Sequence, residues 1–565
     1  MNAPRFDAMR VETPSLETID DRYKNLRAAL DAALDAATTA EDALAVVREW
    51  DEWRRHLATW KALAGVRFAQ NTGDADAKAA RETVDERWPR VTEHDTGMMR
   101  AILDHATSDA VLAELGTVIA ATWTNEMGSF DPSIAEDLTT ESKLTAKYTE
   151  LRGSAKVEFQ GRSLNLSALG AFMDDGDTAT RHAAWRAYWG WHADNADALD
   201  ALYDDLVALR HGMAQKLGLA DFVELGYRRM NRMDYDRDDV LAFRAEVRDE
   251  IVPLVARIRE WQAAELGLDT LTIADELVYD ANGNPRPKGD GPWMVERATE
   301  MFDAMHPELS GFFRMMVDLD LLDLEARDGK AGGGFCTDFP NYEVPYIFAN
   351  FNGSAGDVRV FTHEAGHAFQ AWSSRHHPYM EQLWPTYEAA EIHSMSLEFL
   401  TWDHMEKFFD DDADRFRRTH LIEALCFIPY GVAVDHFQHL IYEKPDATPA
   451  ERHAMWLEME RMYLPWRNHA AIEHTAKGGF WQKQLHIYCA PFYYIDYTLA
   501  GTVALQLWSK LDDDFDAAFD AWLTLCRRGG EAPFRTLVAD AGLQSPFERG
   551  CLSDVAAKAA AWLGV

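Results

Sequence analysis

Between about Ser15 and Thr140, apolar residues recur every three or four positions. The segments LRAALDAALDAA and AEDALAVVREWDEWRRHLATWKALA carry the spacing, and glycine and proline are sparse, so long packed helices are predicted. A second stretch with helical spacing runs from about Ser167 to Leu266. Within it, LDALYDDLVALRHGMAQKLG ends in Lys-Leu-Gly, which suits a helix C-terminus. The Asn-Gly and proline signals of YDANGNPRPKGDGP, residues 279–292, predict a loop or hairpin. Residues 331–353, AGGGFCTDFPNYEVPYIFANFNG, have another texture. Glycines open the segment, then aromatic and β-branched residues mix, which predicts a strand at about 342–352. Helical spacing resumes afterwards almost to the C-terminus. The expected fold class is mainly α with a small sheet in the middle, and no internal repeat is present.

Length and charge narrow this picture. A chain of 565 residues is too long for one compact core, so at least two packed regions are expected. The division by texture is an N-terminal helical region, 1–160, and a second region, 161–565. The formal net charge of −38 disfavours phosphate backbones and anionic lipid, so nucleic-acid and membrane roles are not expected. The five cysteines, Cys336, Cys426, Cys489, Cys526 and Cys551, are scattered and form no CxxC pair. They read as reduced thiols, and with no signal-like or membrane-spanning apolar run a cytoplasmic location is expected.

Candidate chemistry enters at FTHEAGHAFQ, residues 361–370. Ser354 and Asp357 resemble a helix N-cap and an acidic first turn. Phe361, Ala365, Ala368 and Trp372 then share a face that can pack inward. His363, His367 and Gln370 fall on roughly the other side. Histidines one helical turn apart can aim at one ion, and Glu364 lies about 100° around, able to reach a water there without being a ligand. The competing reading is a solvated polar face. Gly366 argues against it, because glycine costs about 1 kcal/mol relative to alanine inside a helix and marks close approach by something else. A metal site needs a third ligand, and HEAGHAFQAWS lacks the downstream histidine of the metzincin pattern. Two prolines in RHHPYMEQLWP end the first helix, and TYEAAEIHSMSLEFL restarts helical spacing. There Glu388, Glu391 and Glu398 lie near one face among apolar neighbours, and buried acids need a partner that a cation could be.

HEAGH, then EIHSMSLE, then HIYCAPFYYIDY, in that order, resemble the oligoendopeptidase F and thimet oligopeptidase family of zinc peptidases. The specific motifs cover about Tyr342 to Trp508. A weaker likeness extends through LRHGMAQKLGLADFVELGYRRM and FRAEVRDEIVPL, residues 209–254. The resemblance implies one Zn2+ per chain held by His363, His367 and Glu391, with Glu364 as general base and Glu398 supporting the ligands from behind. It further implies that His486, Tyr494 and Tyr497 face the scissile carbonyl. Its implied fold is a two-part helical peptidase enclosing a deep channel, with the small sheet beside the zinc helix. Some relatives carry a histidine three residues after the second ligand, where this chain has Gln370.

The activity so implied is hydrolysis of internal bonds in short unstructured peptides, with Glu364 taking the proton of the attacking water. An exposed edge of the 342–352 strand could pair with an extended peptide through backbone bonds. A peptidyl-dipeptidase of the same chemistry is the alternative. It would need a clamp for the terminal carboxylate, for which Arg359 and Arg375 flank the motif helix. The rival from another class is an inert peptide-binding protein. Oligomeric state stays open between monomer and homodimer.

Overall fold

The computed structural model describes residues 3–35, 40–105, 108–470, 472–512 and 514–565. The last two residues of LRAALDAALDAA lie outside them. The chain forms two compact units, each assembled from three segments: 1–127, 286–413 and 510–543 in the first, and 128–285, 414–509 and 544–565 in the second.

The first unit opens with three long helices, Leu16–Asp35, Ala40–Gln70 and Ala75–Leu103. Ile19, Tyr23, Leu26, Leu30 and Leu34 form the buried stripe of the first helix, at the spacing the sequence predicts. Tyr23 and Trp50 both donate to one oxygen of Asp95, at 2.6 and 2.7 Å, which ties the three helices together through a shared acceptor. The long middle helix is also pinned to the sheet. Gln70 donates to the Tyr346 hydroxyl at 2.8 Å, and the Asn341 N–H donates to Thr59 Oγ1 at 3.0 Å.

That sheet has three strands in the order Leu322–Glu325, Val344–Phe351, Phe335–Phe339. The predicted strand is present, but it is not an edge. Val344–Phe351 is the middle strand, parallel to one neighbour and antiparallel to the other. Its apolar run is buried on both faces, as a middle strand requires. Phe335–Phe339 and Leu322–Glu325 are the outer strands, and any edge pairing with a peptide has to be sought on one of them. The sequence gives no alternation that distinguishes the two positions.

The second unit is also helical, with Thr178–Asp194, Ala196–Lys216, Val252–Glu265 and Pro449–Tyr463 among its elements. A short antiparallel hairpin, Val157–Phe159 with Arg162–Leu164, interrupts the helices. The 279–292 patch is loop until Gly291, where a helix begins behind an Asp290 cap.

Candidate metal centre and tyrosine cluster

The motif helix spans Ala355–Ser374. Ser354 stands at its N-cap but makes no side-chain cap bond. Asp357 does related work in reverse, its carboxylate accepting the N–H groups of Asn352 and Gly353 at 2.9 and 2.6 Å. Val358, Phe361, Ala365, Ala368 and Phe369 form the packed face. Gln370 does not join the histidines. It is fully buried and donates to Ser374 Oγ and the Leu383 carbonyl, so it fastens the helix end.

A second helix, Tyr387–Leu400, crosses the first at Gly366. A Cβ on that glycine would lie 2.6 Å from the His393 carbonyl oxygen and 2.6 Å from Ser394 Cα. Only glycine lets the two backbones come this close. The Trp522 indole of the helix Phe515–Arg528 donates to the same His393 carbonyl at 3.0 Å, holding the crossing from the other side.

The crossing carries Glu391 to the histidines. Its Oε2 lies 3.3 Å from His363 Nε2 and 3.4 Å from His367 Nε2, and one ligand atom from each residue falls within 4.8 Å of the others. Ser394 Oγ donates to the same carboxylate oxygen at 3.1 Å. His363 Nδ1 meets Glu398 Oε1 at 2.8 Å, so a ring made neutral to serve as a metal ligand would keep its proton on Nδ1 and present Nε2 on the side of Glu391 and His367. Glu388, the third acid on that face, is buried but is not part of this cluster.

Charge in the cluster is strongly coupled. Burial opposes ionisation of Glu391, yet His367 and His363 hold its carboxyl well below the usual range. Burial likewise opposes a charge on His363, and Glu391 and Glu398 override it and raise its pKa. Glu364 is buried beside them, and burial pushes its pKa up. Among the described residues its Oε2 has no hydrogen-bond partner, nor has His367 Nδ1. Two imidazoles and a carboxylate make a donor set that fits a divalent cation such as zinc, with the unsatisfied Glu364 carboxylate beside it.

The predicted residues of the C-terminal motif belong to the second unit. His486, Tyr494 and Tyr497 form a ring cluster, with centroids 5.0 Å apart for His486 and Tyr494, 5.9 Å for His486 and Tyr497, and 5.7 Å for the two tyrosines. Three further participants escape the sequence reading. Tyr493 lies 5.1 Å from Tyr497, and its i,i+4 spacing to that residue is the only signal that could have found it. Gln484 accepts from the Tyr430 hydroxyl at 2.8 Å and donates to His486 Nδ1 at 3.0 Å. Tyr430 comes from a distant helix and no spacing reveals it. Burial raises the Tyr494 pKa, and a bond with Gln484 only partly offsets this, so the phenol keeps its proton.

Backbone geometry fixes this cluster as firmly as the side chains do. Phe492 has φ of 69°, unusual for a bulky residue. Its N–H donates to Gln438 Oε1 at 3.0 Å, and its carbonyl accepts from Arg232. Arg232 also reaches Asp496 at 3.2 Å, and its guanidinium lies 4.2 Å from the centre of the Tyr227 ring. The Phe492 ring lies so close to Gly226 that a Cβ there would sit 2.5 Å from it.

Comparison with known proteins places this arrangement. Residues 297–556 match the model of Peptidase family M3, and residues 6–130 match the Peptidase M3 N-terminal domain. PZ peptidase A, solved with inhibitor 2, is 40% identical over 99% of this chain and 99% of its own, with a TM-score of 0.93. Oligopeptidase PepF of Bacillus subtilis (strain 168) is 21% identical over 63% of this chain, which spans only 55% of that protein's length. Oligoendopeptidase-F from Enterococcus faecium shares the fold at 14% identity, with a TM-score of 0.62 over 97% of this chain and 98% of its own. The N-terminal match extends the likeness into a region where the sequence offers only helical texture. The chain belongs to peptidase family M3.

Proposed function

We propose that this protein is a cytoplasmic, zinc-dependent oligoendopeptidase that hydrolyses internal bonds of short peptides. The carrying observation is the convergence of His363, His367 and Glu391 on one point, with Glu364 buried beside them. The name of a similar protein, an oligopeptidase, supports the substrate class. The catalytic part is assigned to 161–565. Five free cysteines fit a reducing compartment.

His363, His367 and Glu391 would hold the zinc. When bound, it supplies Lewis-acid polarisation of a carbonyl and of a water. Glu364 takes the proton of the attacking water on its carboxylate and passes it to the leaving amine. Glu398 keeps His363 in the tautomer that presents Nε2. His486 accepts from Gln484 at Nδ1 and therefore carries its own proton on Nε2, as a donor. His486, Tyr494 and Tyr497 would donate to the carbonyl oxygen as negative charge develops on it.

The test is Glu364→Gln, with zinc content and cleavage of an internally quenched peptide measured on the same samples. Wild type is expected to hold about one zinc per chain by the ligand count above. The variant is expected to keep the metal and lose cleavage by at least ~10²-fold. Undiminished cleavage by the variant would overturn the role of Glu364. A wild type that binds no zinc would overturn the site.

A further inference from the structure

The outer strand Phe335–Phe339 leads away from Glu364. A Cβ on Gly334, just before it, would lie 3.9 Å from Glu364 Oε1. Asp338 stands opposite Pro345, which has no N–H, so that pair cannot exchange two backbone bonds. Alternation then turns Thr337 and Phe335 towards the middle strand. The backbone groups of Cys336 and Asp338 face the open side.

Along that side, still within the first unit, lies a cavity of about 710 Å³ between the strand and the helices Ala40–Gln70 and Ala75–Leu103. Lys61, Lys78, Arg81, Phe335, Cys336 and Thr337 are among its walls. Two of its cations are matched. Arg81 pairs with Asp85 at 3.0 Å and Lys78 with Glu82 at 3.9 Å. Lys61 has no ion pair among the described residues. It is half-buried, with its ammonium 4.0 Å from the centre of the Trp88 ring. Burial and the neighbouring Arg81 press against its charge, and Asp85 in the same wall only partly offsets them. An ammonium in this position gains most from an incoming anion. In a chain of net charge −38, a cavity whose walls carry three cations, Lys61, Lys78 and Arg81, against two acids, Glu82 and Asp85, is a local exception that favours anionic groups.

We propose that this cavity is a substrate subsite in which Lys61 binds a carboxylate of the peptide, whether its C-terminus or an Asp or Glu side chain. The inference rests on the peptidase reading and deepens it. The peptide lies along the outer strand from Glu364, and its carboxylate reaches Lys61 past Phe335.

The test uses wild type, Lys61→Met and Lys61→Arg on one set of quenched peptides. Glutamate or glutamine is scanned through each position around the scissile bond, and every peptide is made with a free and with an amidated C-terminus. Each result is a ratio of kcat/KM for the carboxylate peptide over its neutral twin, so a partly folded sample cancels out. Wild type is expected to prefer the carboxylate by about tenfold or more at one position, mostly through KM. Lys61→Met is expected to bring that ratio close to one, and Lys61→Arg to keep it. The glutamate scan and the amidation arm identify which carboxylate is bound. Ratios near one for every wild-type pair, or a preference that survives in Lys61→Met, would overturn the subsite while leaving the peptidase reading standing. No cleavage of any peptide by zinc-loaded wild type would remove that reading and the subsite with it.

Discussion

The two clusters reach their geometry by different means. In the first unit, His363, His367 and Glu391 come from two regular helices, and one glycine at their crossing sets the distance between them. In the second unit, His486, Tyr494 and Tyr497 flank an irregular turn whose Phe492 has a positive φ. That turn is held by Arg232, Gln438 and the ring contact at Gly226. Backbone periodicity positions the first cluster, and buried polar bonds from distant segments position the second. A helix crossing tolerates change wherever side chains can give way, but a turn held by a few buried polar bonds does not. The second cluster should therefore be the more fragile.

Arg232→Met tests this hardest. Methionine fills much of the volume but removes the donors to the Phe492 carbonyl and to Asp496, and it takes the cation from a fully buried acid. Removing one partner of a buried ion pair costs roughly 3–5 kcal/mol. Urea unfolding followed by tyrosine and tryptophan fluorescence should show a loss of that size. Cleavage should fall while zinc content stays normal, because the zinc ligands belong to the other unit. A loss below about 1 kcal/mol would put Arg232 in the range of an ordinary exposed pair and end the contrast.

Gly366→Ala probes the other side. The new Cβ meets backbone atoms at 2.6 Å, which cannot rotate away, so the two helices must move apart. Overpacking of this kind costs roughly 1–3 kcal/mol. The readout that matters is zinc affinity by competition with a chelator, because separating the helices carries Glu391 away from both histidines. A variant that is destabilised but binds zinc as tightly as wild type would show that the crossing distance does not set the site.

The same contrast explains what could be read from the sequence. His363, Glu364 and His367 are legible because helical spacing alone puts them on adjoining faces. Gly366 is legible because a mid-helix glycine needs a reason. Glu391 is narrowed to one of three acids by its apolar neighbours, and the choice among them comes from family resemblance. Gln370 is misplaced by the same helical wheel, because the wheel cannot foresee that Leu383 returns to cover it. Strand propensity finds Val344–Phe351, but it does not say that Phe335–Phe339 lies outside it. Gln484, Tyr430 and Arg232 leave no trace in local pattern, since their partners are far away in the chain. The interleaving of the units is equally invisible, because texture divides a chain only in order along it.

The smallest effect concerns pH and again falls in the second unit. His436 faces Arg244 and Asp435, bonds to the Tyr463 hydroxyl at 3.0 Å through Nδ1, and lies near His439. Burial, and then Arg244, push its pKa down to about 4. The unfolded chain binds this proton near pH 6.5 and the folded chain only near 4. Its contribution to stability is thus complete above pH 6.5 and is lost as the pH falls from there towards 4. Because the ring is partly exposed, solvent screening limits the loss between pH 7 and 5.5 to about 1 kcal/mol. His436→Gln can keep a bond to Tyr463 without taking a proton. Urea midpoints measured across that range should slope downward with acid for wild type and less steeply for the variant. Parallel slopes would assign the acid sensitivity to other groups, and would remove pH as a distinction between the two units.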